Sequence, residues 1–299
     1  MSDNKIKILV CTHKQTEFPP DDIFLPIHCG KALSNVDLGI QGDDTGDNIS
    51  AKNETFAELT GLYWAWKNLK KLYPDVEYVG LCHYRRYFAL RPLWKTIPYG
   101  WIAAKTLPMA QNYGATFQRI LKHKQVILAQ RKVLSCNTFT FYASEMHSRD
   151  YHTLRQIIHE LQPDYEEAFL TVWEGSNKHS PYNMFICRRD WLDEYCKWLF
   201  PILYEAERRI KTDNYDEHSK RVFAMLSEHL LNVYVHQHGF NVKYLPIFFL
   251  DNKDGRILFF KNLFSVMIKT LAFWLQMPTV FLFSSKYYAR KRKSVYENN

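Results

Sequence analysis

Closely spaced cysteines are missing from this sequence. No Cys-x-x-Cys motif occurs among its six cysteines, and scattered single thiols are typical of a reducing compartment rather than of a disulfide framework or a zinc ribbon. The first 14 residues, MSDNKIKILVCTHK, also hold too short an apolar run for a secretory signal. We therefore expect a globular protein of the cytoplasm.

The motifs of several large enzyme classes are missing too. The sequence has no Gly-x-Ser-x-Gly elbow, Walker loop, dinucleotide-binding glycine fingerprint or His-Glu-x-x-His helix. The enzyme classes that these motifs define are therefore not indicated. EF-hand spacing is also missing, so we do not expect calcium sensing.

Strong charge is missing from most of the chain. The net charge is +8, but the residues from Asn262 onward include six basic residues and only one acidic residue, Glu297. The rest of the chain carries a small positive surplus, which gives no support for nucleic-acid binding. The basic residues of the C-terminal part are Lys269, Lys286, Arg290, Lys291, Arg292 and Lys293.

The C-terminal tail, residues 256–299, has no apolar run long enough to span a bilayer. Its uncharged stretch at residues 270–285 has 16 residues, whereas a spanning helix needs about 20. An aromatic, apolar segment followed by a basic cluster is typical of a segment that lies in a membrane interface. A C-terminal helix that packs on the body and exposes its basic end is the alternative.

The order of predicted elements is typical of an α/β domain. Residues 5–11 predict a strand, residues 53–73 a helix capped by Asn53, and residues 76–82 a buried strand. This order favours the α/β class, in one domain at residues 1–255. Further predicted elements are a strand near Gln125, two helices between 148 and 173 broken at Pro163, a strand from 182, helices at 191–210 and 219–236, and a return to the sheet at 242–249.

Three clusters offer chemistry, and the first is a Gly-rich acidic loop. Asp43, Asp44 and Asp47 alternate with Gly42 and Gly46. Clustered carboxylates can hold a divalent ion, which in turn holds a diphosphate. Asp and Gly are also ordinary turn formers, so a purely structural loop is the alternative.

The second cluster is CHYRRYF, at the end of the buried strand. In an open α/β sheet, ligands bind at the carboxyl ends of strands, so His83, Arg85 and Arg86 stand where an anion would be received. Arginine makes permanently charged contacts with phosphate oxygens. Neighbouring residues of an extended segment face opposite ways, so only one arginine is expected to face the site.

The third cluster lies on the predicted helix at 219–236. Glu228, Asn232 and His236 recur at four-residue steps and form one polar stripe. A glutamate in such a stripe can serve as a general base, or it can simply face solvent.

The sequence resembles a family of bacterial capsular and exopolysaccharide biosynthesis proteins, whose members are described as glycosyltransferases and some as galactofuranosyltransferases. The resemblance covers about residues 5 to 250 and leaves the tail uncovered. It rests on four blocks, TGDNISAKNETFAELTGLYWAWKNL, YVGLCHYRRYF, SPYNMFICRRDWLDEYCKWLFPILYEAERRI and RVFAMLSEHLLNVYV.

The resemblance implies a GT-A-like fold, in which a nucleotide-binding half is joined to an acceptor-binding half. Such enzymes generally carry an Asp-x-Asp motif for a metal after a strand, but here the strand runs into His83 and Tyr84. Either Asp44 and His83 hold Mn²⁺ or Mg²⁺, or arginine replaces the metal. Residues expected to bind the donor are Asp43, Asp44, Asp47, Asn48, Asn53, Glu58, Trp64, His83 and Tyr84.

The implied activity is transfer of a sugar, with galactofuranose as one candidate, from a UDP-type donor to a lipid-linked glycan. Glu228 matches the position of the base in inverting enzymes, and Arg85 or Arg86 would meet the charge on the leaving diphosphate. Tyr182 and Asn183 are expected to bind the acceptor.

These roles place the chain on the inner face of the cell membrane, held peripherally by its tail on anionic lipid. A non-catalytic glycan-binding or scaffold protein of a polysaccharide assembly complex is the main alternative, and a metal-dependent phosphoester hydrolase is another.

Overall fold

The computed structural model describes residues 5–19, 21–90 and 113–249. Its central strand is β1 (Ile6–Thr12), where all residues but one are buried. A strand covered on both faces needs such a continuous apolar run. β1 pairs in parallel with β2 (Phe24–His28) on one side and with β4 (Tyr78–His83) on the other.

The large sheet is mostly parallel. Its order is β3-β2-β1-β4-β9-β6-β10, and β9 runs antiparallel to both of its neighbours. β5 forms a hairpin with β4 and pairs with β11, whereas β7 and β8 form a separate ribbon. The remaining strands are β3 (Gln41–Gly42), β5 (Arg86–Phe88), β6 (Val126–Ala129), β7 (Lys132–Val133), β8 (Lys178–His179), β9 (Phe185–Arg188), β10 (Val242–Leu245) and β11 (Ile247–Phe249).

The structure confirms most of the predicted elements, whose ends lie within a few residues of the predicted ones. The pair broken at Pro163, the helices near 191–210 and 219–236 and the return to the sheet at 242–249 are all present. Among the described residues, none of the helices is both long and apolar enough to cross a membrane. The helices are α1 (Asn53–Phe56), α2 (Leu59–Leu72), α3 (Tyr113–Leu121), α4 (Thr138–Glu145), α5 (Ser148–Leu161), α6 (Glu166–Trp173), α7 (Arg189–Arg209) and α8 (Val222–Gln237).

The prediction of one continuous helix from Asn53 to about Tyr73 was wrong. Ala57 adopts φ 45° and ψ −123°, a conformation that favours glycine, and it separates α1 from α2. The Asn53 side chain stabilises this break, since its Nδ2 donates to the Ala57 carbonyl at 2.8 Å and to Thr60 Oγ1 at 2.9 Å.

The chain forms two compact units, each built from separate stretches of sequence. Unit 1 takes its described residues from 1–130, 182–196 and 240–267, and unit 2 from 131–181, 197–239 and 268–299. Both the predicted domain boundary near residue 255 and the tail at 256–299 lie outside the described residues.

In unit 1, α2 packs closely on the sheet. A Cβ added at Gly61 would lie 2.8 Å from Cys29 Sγ and 3.3 Å from Cys11 Sγ, so this helix position accepts only glycine at the observed distance. The apolar core includes Ile8, Val10, Phe24, Tyr87, Tyr113, Phe117 and Ile186, all buried. Burial of this surface stabilises the sheet that carries the candidate site.

Unit 2 has an aromatic core that contains two buried histidines. His229 on α8 lies with its ring centroid 4.3 Å from that of Trp173 and 5.2 Å from that of His179. Burial lowers the pKa of His229 to about 3 and the pKa of His179 well below its ordinary value. Both imidazoles are therefore neutral in the folded protein near pH 7.

We predict that acid destabilises unit 2 through these imidazoles. Their pKa is lower in the folded than in the unfolded chain, so the stabilisation is complete above the unfolded pKa of about 6.5 and is lost as the pH falls below it. Between about pH 7 and pH 5, the free energy of unfolding should fall by about 2 kcal/mol for each imidazole.

Urea unfolding of the wild type and of His229→Phe at the two pH values checks this. The variant should lose about half of the pH dependence that the two imidazoles contribute. An equal slope in the wild type and in His229→Phe would contradict the assignment.

Candidate functional site

The candidate site lies where the connections of the sheet diverge. From β1 the strand order passes to β2 on one side and to β4 on the other. In open α/β sheets, ligands bind in a crevice at the carboxyl ends of the strands, at the point where the strand order reverses. Those ends are Thr12 in β1 and His83 in β4. Residues 83–86, which the sequence marked, therefore lie at this point.

The β4–β5 hairpin places only one of the two arginines, Arg86, beside His83. His83 pairs directly with Arg86 across the hairpin, and directly paired residues present their side chains on the same face of a sheet. Tyr84 and Arg85 form the turn, and Arg85 is exposed. The structure thus places Arg86, half-buried, beside His83, as expected if only one arginine faces the site.

Tyr182 contacts both of these basic residues. Its carbonyl oxygen lies 2.8 Å from His83 Nε2, and because a carbonyl can only accept, Nε2 donates. The guanidinium carbon of Arg86 lies 4.4 Å from the centroid of the Tyr182 ring, within the range of a cation–π interaction. Tyr182 therefore holds the His83 imidazole through its backbone and the Arg86 guanidinium through its ring.

The backbone around Tyr182 is strained. Tyr182 and Asn183 adopt φ 75° and 52° in succession, the left-handed region that non-glycine residues rarely enter. Asn183 is buried, and its Nδ2 donates to Glu58 Oε1 at 2.8 Å. Glu58 is itself buried and directly follows the strained Ala57. Such strain concentrates at functional sites, where the surrounding structure enforces it.

A further basic group lies at the end of β1. Lys14 Nζ is 5.3 Å from the centroid of the Tyr84 ring, the Arg85 guanidinium is 5.0 Å from the same ring, and the His13 ring meets it edge-on at 5.7 Å. The sequence analysis missed His13 and Lys14. The signal was present, because both directly follow a buried strand, as His83 does.

The acidic loop is built around Asp43, whose carboxylate is fully buried. It accepts from the backbone N–H of Gly30 at 2.9 Å and of Lys31 at 3.1 Å, and from the Ser50 hydroxyl. The Asn48 side chain donates to two carbonyls of the same loop. The structure therefore places Asp43 and Asn48 in the framework of the loop.

Trp64, predicted to bind the donor, has no exposed surface. Stacking on a sugar needs an exposed ring face, so the prediction that Trp64 contacts the donor directly in this way was wrong. Its Nε1 instead donates to Thr45 Oγ1 at 2.9 Å and supports the acidic loop. Asp47 accepts from the Tyr63 hydroxyl at 3.1 Å on the same side of α2.

The described residues do not fit a metal ion held by the protein. Within residues 5–19, 21–90 and 113–249, no three or more histidine, cysteine, aspartate or glutamate side chains converge on one point. Asp44 is exposed, and one ring nitrogen of His83 already donates to a carbonyl. The predicted pair Asp44 and His83 lacks a third ligand in this part of the chain.

Most of this chain matches a known protein family. Residues 7–239 match the family model described as a domain of unknown function, DUF4422. The chain belongs to this family. A solved chain described as the apo structure of the bifunctional glycosyltransferase WbbM is similar, with 32% identity and a TM-score of 0.75. The match covers 83% of this chain and 45% of that chain, and no curated protein matches.

The fold of this DUF4422 protein confirms the predicted GT-A-like class. The mostly parallel sheet and its helices match the glycosyltransferase chain over most of the length of this chain. Glu228, the predicted base, lies on α8 of unit 2 and is half-buried. Its carbonyl accepts from Asn232 Nδ2 at 2.8 Å, and Asn232 also binds the backbone of Ser180 in both directions. The base role stays a prediction.

We predict that Asp43 stabilises the fold of this DUF4422 protein. Asp43→Ala leaves two backbone N–H groups and a hydroxyl without their charged acceptor, so the free energy of unfolding should fall by about 3 kcal/mol. Urea unfolding measures the change. Asp44→Ala, at the exposed neighbouring carboxylate, should change stability by no more than about 0.5 kcal/mol. Equal losses in the two variants would contradict the framework role.

Proposed function

We propose that this DUF4422 protein is a glycosyltransferase that takes a sugar from a nucleotide-diphosphate donor. One observation carries the proposal: the basic residues Lys14, His83 and Arg86 gather at the carboxyl ends of β1 and β4. A diphosphate is the anion that such a crevice suits. The likeness to a bifunctional glycosyltransferase at 32% identity supports glycosyl transfer as the reaction that uses it.

In this proposal the acceptor hydroxyl attacks the anomeric carbon of the sugar. The bond between that carbon and the diphosphate oxygen breaks, and its electron pair leaves with the diphosphate. Glu228 takes the proton of the hydroxyl, as in an inverting reaction. Arg86 meets the charge that develops on the leaving group.

The finer assignments rest on the family resemblance. UDP is the proposed nucleotide and galactofuranose a candidate sugar, carried to a lipid-linked glycan in capsule, exopolysaccharide or O-antigen synthesis. Tyr182 and Asn183 are proposed to border the sugar, since Tyr182 is partly exposed beside Arg86. Asp44 and Tyr84 are proposed to contact the nucleotide.

We predict that Glu228→Gln lowers turnover by about 10² to 10⁴-fold, the usual contribution of a general base, and leaves UDP affinity unchanged. The measurements are UDP release from UDP-galactofuranose and UDP-galactose, with water or membrane-extracted lipid-linked glycan as acceptor, and calorimetric titration with UDP. Glu217→Gln, at an exposed acid, is the matched control and should behave as wild type.

Unchanged turnover in a folded Glu228→Gln variant would remove the base assignment. If neither UDP nor another nucleoside diphosphate binds the wild type, the glycosyltransferase proposal fails. A non-catalytic glycan-binding protein would then explain the family better.

The C-terminal tail lies outside the described residues, and its membrane role is proposed from sequence alone. Near anionic lipid each cation contributes about 1 kcal/mol to binding. Replacing Arg290, Lys291, Arg292 and Lys293 together by Gln should therefore reduce binding to phosphatidylglycerol vesicles by about 100-fold or more.

Sedimentation with phosphatidylglycerol or phosphatidylcholine vesicles measures this. The double variant Lys70→Gln, Lys71→Gln, at exposed positions of α2, should bind as wild type. Equal binding of wild type to the two kinds of vesicle would argue for a tail that packs on the protein.

A further inference from the structure

The strand that ends at the candidate site opens a long segment without acidic residues. Residues 78–130, the acid-free segment, contain eight lysines and arginines and no aspartate or glutamate. β4, β5, α3 and β6 all belong to it. At the carboxyl end of β4 the segment places Arg85 and Arg86, and it supplies no carboxylate for a cation there.

Three carboxylates of the neighbouring elements in unit 1 already accept hydrogen bonds. Asp43 accepts from two backbone N–H groups and a hydroxyl, Asp47 from the Tyr63 hydroxyl, and Glu58 from the Asn183 amide. Among the described residues, no three histidine, cysteine, aspartate or glutamate side chains come together here as ligands for a metal. The donor set that the described residues offer therefore suits an anion better than a divalent cation.

The Arg86 and His83 side chains, in contrast, are held in place before any ligand arrives. Arg86 lies on the Tyr182 ring and His83 donates to the Tyr182 carbonyl. A guanidinium whose position is fixed loses less conformational entropy when it binds phosphate oxygens.

We propose that the diphosphate of the donor binds without a divalent metal, on Arg86 and His83, and that Tyr182 is the positioning residue for both. This inference rests on the proposed function, because it takes the diphosphate as the ligand of the site. When the bond from the anomeric carbon to the diphosphate oxygen breaks, the diphosphate gains one negative charge. The Arg86 guanidinium meets that charge instead of a metal, together with the His83 imidazole when its second ring nitrogen carries a proton.

Calorimetric titration of the full chain with UDP and with uridine tests the proposal, in EDTA and again in Mn²⁺ or Mg²⁺. In EDTA, UDP should bind at least about 10-fold more tightly than uridine, the effect of one charge-assisted contact. Adding either metal should change the affinity for UDP by less than about twofold. Turnover should likewise persist in EDTA.

Single substitutions test which residues bind the diphosphate. Arg86→Gln should lose about 10-fold or more in UDP affinity and little in uridine affinity. Arg86→Lys keeps the charge but not the planar fork of N–H groups, so its UDP affinity should lie between those of wild type and Arg86→Gln. Arg119→Gln removes one exposed charge from α3 in the same acid-free segment and should bind UDP as wild type does. Tyr182→Phe keeps the ring and the carbonyl and should bind as wild type, whereas Tyr182→Leu should lose UDP affinity.

The outcomes separate the two proposals. UDP binding that appears only with Mn²⁺ or Mg²⁺ overturns the metal-free site and leaves the glycosyltransferase proposal intact. Absence of binding of UDP and of every other nucleoside diphosphate under both conditions overturns the proposed function instead. An equal loss of UDP affinity in Arg86→Gln and Arg119→Gln overturns the assignment to Arg86, because the loss would then follow from net charge alone. Equal affinities of Tyr182→Leu and Tyr182→Phe overturn the positioning role.

Discussion

One buried hydrogen bond holds two strained segments of this protein together. Asn183 Nδ2 donates to Glu58 Oε1, and both side chains are shielded from water. Ala57 on one side, and Tyr182 with Asn183 on the other, adopt conformations that cost about 1–3 kcal/mol each. A bond to a charged acceptor in a low dielectric is stronger than a neutral one. The direction of the Tyr182 ring, and of the two basic side chains that Tyr182 contacts, depends on this bond.

Most of the fold was predictable because burial controls it. The strands near β1 and β4, and the helices on either side of Pro163, follow apolar patterns that mark one or both faces as covered. The break at Ala57 was not predictable, since alanine is the strongest helix former and nothing beside it signals an interruption. Only the tertiary contacts of Asn53 and Glu58 stabilise a conformation that alanine avoids.

The candidate site was also predictable only in part. His83 and Arg86 were predictable from one rule, that ligands meet the carboxyl ends of strands. Trp64 was misassigned because an aromatic residue at helical spacing has the same pattern whether it faces a sugar or the core. The left-handed backbone of Tyr182 left no trace in the sequence, since tyrosine has no preference for that region. Asp43 looked like a ligand because a carboxylate that organises a loop has the same composition around it.

The position of β9 determines when this sheet can close during synthesis. β9 lies between β4 and β6, although both of those strands leave the ribosome well before it. Until then β4 and β6 each present an edge of unpaired backbone groups, the kind of edge on which chains aggregate. β9 must enter the middle of the sheet rather than add to its border, and such pairing over a long sequence separation is slow. The nascent chain is therefore most exposed to misassembly just before Phe185 emerges, and a chaperone that covers strand edges would matter most at that stage.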